Sequence, residues 1–275
     1  MRQAANRLAA EYPNKRAIIT GAASGLGLAF AKRLAAAGWT LGLMDRNAVE
    51  LASVKHTLAS VDQTVYTYHV NVADAHGVSG AIERFAQVEH GLDLLINNAG
   101  VAVGGDFLTT SLDDWRWIVD INLMGVLHGC RAALPHMKSA NLGCIVNIAS
   151  AAGFVCGPGM SAYNVTKAGV VALSESLMQE SVGTGVRVAV AMPGFFQTNL
   201  LDGARGTSAA AHIVRKLMAS SSVTADDVAE IVLAAAARRQ THIIVPREYL
   251  KLWRWKRCFP SHFVRTFPKM AARRR

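Results

Sequence analysis

Short apolar segments alternate with helix-forming ones along nearly the whole chain, and no other feature narrows the fold as much. Residues 16–20, 40–45, 64–70, 93–97, 144–149, 186–191 and 242–245 read as strands. Residues 25–37, 48–59, 74–89, 112–137, 160–181 and 225–237, between and beside them, read as helices. Such an alternation predicts an α/β fold, a doubly wound seven-stranded parallel sheet with helices on both faces. Strands such as 144–149 are apolar throughout, as strands covered on both sides must be. Of the 275 residues, 51% are hydrophobic and 17% charged, which supplies a sizeable core and excludes a disordered or fibrous chain. No linker breaks residues 1–245, so a single domain is expected there, with 246–275 as a separate extension.

No run of apolar residues is long enough for a spanning helix. The first fifteen residues carry Arg2, Arg7, Glu11 and Lys15, without the apolar core of a secretory signal. Cys130, Cys144, Cys156 and Cys258 lie far apart, with no C-x-x-C and no ligand-spaced histidines. Free thiols in a reducing, cytoplasmic setting are expected, and no metal site.

Between the first strand and the first helix stands Thr20-Gly21-Ala22-Ala23-Ser24-Gly25-Leu26-Gly27. Glycines there let the backbone turn sharply and approach a pyrophosphate, while the helix that follows offers free N–H groups and a positive dipole end. The spacing is G-x-x-x-G-x-G, which departs from the general dinucleotide fingerprint. Asp45 ends the second strand, 20 residues after Gly25, where an acid accepts hydrogen bonds from an adenosine ribose. A carboxylate there repels a 2′-phosphate, which favours NAD and makes NADP the lesser expectation. Arg46, the next residue, either binds that phosphate or lies in solvent.

Tyr163 and Lys167 are four apart in a helical segment and project from one face. A phenol with pKa of about 10 is protonated at neutral pH; an ammonium that lowered it by roughly 3 units would make it a usable acid or base. Y-x-x-x-K alone has little specificity. Its company is informative: Ser150 stands thirteen residues earlier, just after an apolar strand, at the carboxyl edge where open α/β sheets bind ligands. Asn97-Asn98-Ala99-Gly100 follows the fourth strand at the same edge, and Asn122 lies within the long helix.

With the glycine loop, Asn97-Asn98-Ala99-Gly100, Asn122, Ser150, Tyr163-x-x-x-Lys167 and Pro193-Gly194-x-x-x-Thr198 in this order, the chain resembles the short-chain dehydrogenase/reductase family over roughly residues 14 to 245. The resemblance implies a Rossmann-type fold and an NAD(P)-dependent oxidoreductase that interconverts an alcohol and its ketone or aldehyde. It implies Tyr163 as general acid/base. Lys167 would tune it and hold the nicotinamide ribose, and Ser150 would hydrogen-bond the substrate oxygen. Asn122 would hold a water that relays protons from Lys167. It implies cofactor contacts at Gly21, Ser24, Gly25, Leu26 and Gly27, at Asp45 and Arg46, and at Asn97, Ala99 and Gly100. Pro193, Gly194, Phe196 and Thr198 would shape the nicotinamide pocket. Where the family often has an aspartate against the adenine, this chain has Asn71, followed by Val72; Ala149 stands where Ser or Thr commonly precedes the catalytic serine. Relatives are usually dimers or tetramers, so a homo-oligomer is expected. A cofactor-binding scaffold or sensor of the same fold is the alternative, opposed by the intact Asn122, Ser150, Tyr163 and Lys167.

Residues 101–106, 151–159 and 195–222 are expected around the substrate. They are largely apolar or small, with Arg205, His212, Arg215 and Lys216 in the last, and they favour a lipophilic alcohol or carbonyl. Residues 246–275 hold ten Lys/Arg against Glu248 and six of the 19 aromatics, a net charge of +9 against +1 for the rest. Basic residues interleaved with tryptophan suit peripheral contact with an anionic membrane, although the charges do not segregate cleanly on one helix face. Covering a subunit interface or the substrate pocket is the competing use. Nucleic acid is not expected, because the near-neutral body supplies no basic groove.

Overall fold

A computed structural model describes residues 3–59, 64–198, 200, 203–206 and 218–272. The expected sheet is present: β1 (Arg16–Thr20), β2 (Thr40–Asp45), β3 (Val65–His69), β4 (Leu94–Asn97), β6 (Gly143–Ile148), β7 (Val186–Pro193) and β9 (His242–Val245) pair in parallel in the order β3-β2-β1-β4-β6-β7-β9. β1, β4 and β6 are buried end to end, which is why their sequences show no polar alternation. The winding reverses between β1 and β4, and the crevice at that switch point is where such sheets take ligands.

Helices cover both faces. On one side α1 (Gln3–Glu11), α2 (Gly25–Ala36), α3 (Ala48–Ala59) and α9 (Ala225–Ala237) bury an apolar cluster that includes Leu8, Phe30, Leu34, Trp39 and Leu233. On the other, α4 (Ala75–Val88), α6 (Gly125–Ser139) and α8 (Ser161–Glu180) enclose Phe85, Ile82, Ile145 and Val190. Local chemistry marks the ends. The Asp74 carboxylate accepts from His76 N at 3.0 Å ahead of α4, and Thr224 and Asp227 form a capping box at α9. Arg16 and Asp93, both buried, form a two-armed ion pair (2.8 and 3.0 Å) that ties the start of β1 to the start of β4.

Three features depart from the sequence expectation. The helix anticipated over 112–137 is interrupted: α5 (Leu112–Val119) passes through a π-turn at Asp120–Met124 before α6 begins. The periodicity does not reveal this, because the wide turn goes with a contact to another segment, Asn122 exchanging hydrogen bonds with Val101. α1 was not anticipated; its Ala4, Ala5, Leu8 and Ala9 pack against α9, and the Glu11 carboxylate accepts from Arg187. Residues 248–272 fold into two helices, α10 (Glu248–Cys258) and α11 (Pro260–Ala272). The small strands β5 (Val103–Gly104) and β8 (Arg205–Gly206) pair in parallel as a separate sheet, and Ala152 and Val155 of α7 (Ala152–Val155) line the crevice.

Candidate active site

At the carboxyl edge of the sheet lies a cavity of about 1280 Å³. A single small ligand typically occupies ~300–1,000 Å³, so two molecules can share this one. Its nucleotide end is built by the turn from β1 into α2. Gly21 (φ 64°) adopts a backbone conformation that favours glycine, and a Cβ there would come within 2.8 Å of Ala99 Cα. Ser24 precedes α2 without a side-chain cap, and Ser24, Gly25 and Leu26 face the cavity, so the helix dipole and first-turn N–H groups are available to an anion. Asp45 anchors the loop: its carboxylate accepts from Ala23 N (3.0 Å) and Asn47 N (2.9 Å). Arg46, Asn71, Val72, Ala99 and Gly100 line the same end.

The chemical end lies under β6 and β7. Ser150 leaves β6, donates to Pro193 O (3.3 Å) and accepts from Ala152 N (3.1 Å), which fixes its hydroxyl. Tyr163 and Lys167, one turn apart on α8, are 7% and 3% exposed. Burial pushes the Tyr163 phenol up to about 12, and the Ser150 hydroxyl offsets part of the rise. Burial also lowers the Lys167 ammonium to about 8. It donates to Ile148 O at 2.9 Å and sits 5.8 Å from the Tyr163 ring centre. The depressed tyrosine expected from Tyr163 and Lys167 is therefore not the state of the chain by itself: desolvation outweighs an ammonium directed at a backbone carbonyl.

Of the residues singled out from sequence, Gly21, Ser24, Gly25, Leu26, Asp45, Arg46, Asn71, Val72, Ala99, Gly100, Ser150, Tyr163, Lys167, Pro193, Gly194, Phe196 and Thr198 all line the cavity. Three lie behind it. Gly27 packs so closely that a Cβ would sit 2.0 Å from Gly21 O. Asn97 points into the core and donates to Asn147 Oδ1 at 2.9 Å; its neighbour Asn98 faces the cavity instead, donating to Thr20 O and Gly21 O at 3.0 and 3.1 Å. Asn122 is wholly buried at the π-turn, and its amide is occupied by Val101 (N–H accepted at 2.8 Å, C=O bonded at 2.9 Å). A Cβ on Gly25 would lie 3.3 Å from Thr198 Oγ1, so that hydroxyl sits over the glycine loop. Arg205 stacks on Trp117 at 4.0 Å, outside the cavity, and His212, Arg215 and Lys216 lie outside the described residues.

The sequence offered cover of the substrate pocket as one competing use of the tail, without naming the residues that reach it. Glu248, Tyr249, Lys251, Leu252, Phe267 and Met270 line the cavity, and α10 packs on α7, the helix that follows Ser150. The signal was the aromatic spacing of the tail, which only the return of α11 onto α10 resolves into one inward face.

The sequence profile of the short chain dehydrogenase family matches residues 15–208. The chain is 37% identical over 187 residues to 2-(R)-hydroxypropyl-CoM dehydrogenase of Xanthobacter autotrophicus, covering 66% of this chain and 74% of that protein. It is 35% identical over 192 residues to meso-2,3-butanediol dehydrogenase of Serratia marcescens, covering 70% and 75%. A short-chain dehydrogenase/reductase from Burkholderia phymatum, solved in complex with NAD, superimposes with a TM-score of 0.83 at 33% identity, over 88% of this chain and 92% of that one. The family match and these relatives make the chain an oxidoreductase. The chain belongs to the short-chain dehydrogenase family.

Proposed function

We propose that the protein is an NAD-dependent dehydrogenase that interconverts a secondary alcohol with an apolar body and its ketone. The observation that carries this reading is the convergence of Ser150, Tyr163 and Lys167 on one cavity that is continuous with the glycine cradle. The cradle fits a dinucleotide: Gly21 stands where a side chain would strike Ala99, and uncapped N–H groups await a pyrophosphate. Gly21, Ser24, Gly25 and Leu26 would hold the phosphates, Asp45 the adenosine ribose, and Asn71, Val72, Ala99 and Gly100 the adenine side. Pro193, Gly194, Phe196 and Lys167 would flank the nicotinamide, which takes up or returns the hydride. A carboxylate already fixed by two backbone N–H groups cannot turn away from a 2′-phosphate, which supports NAD over NADP.

In oxidation the Tyr163 oxygen accepts the proton of the substrate hydroxyl as the carbinol C–H bond breaks; in reduction it returns that proton to the carbonyl oxygen. Ser150 would turn its hydroxyl from Pro193 O to the oxygen on which charge develops, while Ala152 N still holds its oxygen. Lys167 supplies positive charge under the phenolate and passes protons onward. The amide of Asn122 is committed to Val101, so any water it holds is bound through its backbone carbonyl. Tyr163→Phe is expected to abolish NAD-dependent alcohol oxidation while NADH binding, followed by nucleotide fluorescence, stays near wild type. Retained turnover would remove Tyr163 from the chemistry.

A further inference from the structure

The sheet order separates the two ends of the cavity. Asp45 and Arg46 sit at the end of β2, on one side of the switch point, and the C-terminal helices follow β9, at the opposite sheet edge. The α10–α11 pair therefore meets the cavity at its chemical end. Tyr249 closes over Gly194 so tightly that a Cβ on that glycine would fall 2.3 Å from the ring, and its hydroxyl accepts from Phe195 N at 3.5 Å. At the far end of α10, Arg257 donates to Glu175 of α8 (3.2 Å) and stacks on Trp253, which in turn packs on His242. Both ends of α10 are thus tied to the body.

α11 returns on α10 through an aromatic column. Phe263, almost wholly buried, meets Trp255 edge-on at 4.9 Å and stacks on Phe267 at 4.9 Å. Phe267 and Met270, like Leu252, line the cavity, whose apolar lining also includes Val155, Met160, Leu200 and Met218. The basic side chains Arg247, Lys251, Arg254, Arg257, Arg265 and Lys269 are exposed. Folding the two helices together buries Phe263, and Glu248 and Lys251 line the cavity along with Leu252, Phe267 and Met270.

We infer that α10 and α11 form the wall against which the apolar body of the substrate lies, with Leu252, Phe267 and Met270 as the residues that select substrate length. The ligand class is a secondary alcohol or ketone whose polar end reaches Tyr163 and whose unbranched or fused hydrocarbon body extends along this wall. The inference rests on the oxidoreductase reading above and assigns specificity to a segment beyond the family match, which ends at residue 208.

The test uses the full-length chain with NAD and the 2-alkanols from 2-butanol to 2-decanol, paired with equilibrium binding of 2-decanone and 2-butanone by saturation-transfer NMR. Each methylene that reaches the wall should raise kcat/KM about threefold in the wild type. Phe267→Ala, and Met270→Glu at a position 46% exposed and so tolerant of change, should flatten that rise. The expected loss is about tenfold on 2-decanol, with less than twofold on 2-butanol, and a matching loss of 2-decanone binding. Equal chain-length dependence in wild type and variants overturns the wall while leaving the dehydrogenase reading in place. Wall-dependent binding of 2-decanone without turnover of any alcohol keeps the wall and overturns the proposed reaction. Failure of the wild type to bind 2-decanone overturns the wall outright.

Discussion

The burial of Lys167 carries a cost in stability. Its ammonium is displaced from its ordinary range of 10.5 to about 8 by burial alone. Between those values the unfolded chain binds a proton that the folded chain does not, so stability rises with pH across about 8 to 10.5 and is depressed by about 3 kcal/mol below 8. Lys167→Met should therefore raise the melting temperature at pH 7 and abolish the rise above pH 8, while removing activity; melting scans from pH 6 to 10 check it. Tyr163 acts in the opposite sense and later, its phenol pushed up from 10.0 to about 12, so it weakens the fold only above pH 10. At the nucleotide end, Asp45→Ser removes a negative charge from a cradle that retains Arg46. One charge contact near a surface is worth roughly 1–4 kcal/mol. The NADP/NAD ratio of kcat/KM should rise about tenfold or more, and an unchanged ratio would show that another group controls the choice.

At the scale of elements, the strands were legible because burial on both faces leaves an apolar run no other element explains, and β1, β2 and β9 begin and end where the residue pattern changes. The cradle was legible because glycine spacing after a strand has a steric cause, the one now visible at Gly21 and Gly27. Which of two adjacent asparagines faces the cavity was not: Asn97 and Asn98 straddle the end of β4, and the pleat, not the residue type, sends one into the core. The π-turn and the return of α11 were hidden for a related reason, since both are set by contacts distant in sequence. Gly194 and Tyr249 show such a contact directly. Gly194→Ala should destabilise the protein by roughly 1–3 kcal/mol through overpacking. Adding Tyr249→Ala should relieve that part of the loss, and a thermal-melting double-mutant cycle reads the coupling.

For the molecule as a whole, thiol chemistry reports the fold. Cys130 and Cys144 are buried, and burial pushes their thiols up to about 12 and about 11; Cys156 and Cys258 are exposed. Titration with a chromogenic disulfide should find two fast thiols in the native protein and all four only in denaturant. A third fast thiol would mean that α6 or β6 opens readily.

The position of the two proposed specificity regions on opposite sides of the sheet's switch point also bears on how such a protein can be altered. If Asp45 selects the redox carrier and Met270 the organic reactant, as proposed above, substitutions at the two should combine as independent factors. A redesign could then retune each in turn, with Ser150, Tyr163 and Lys167 left untouched.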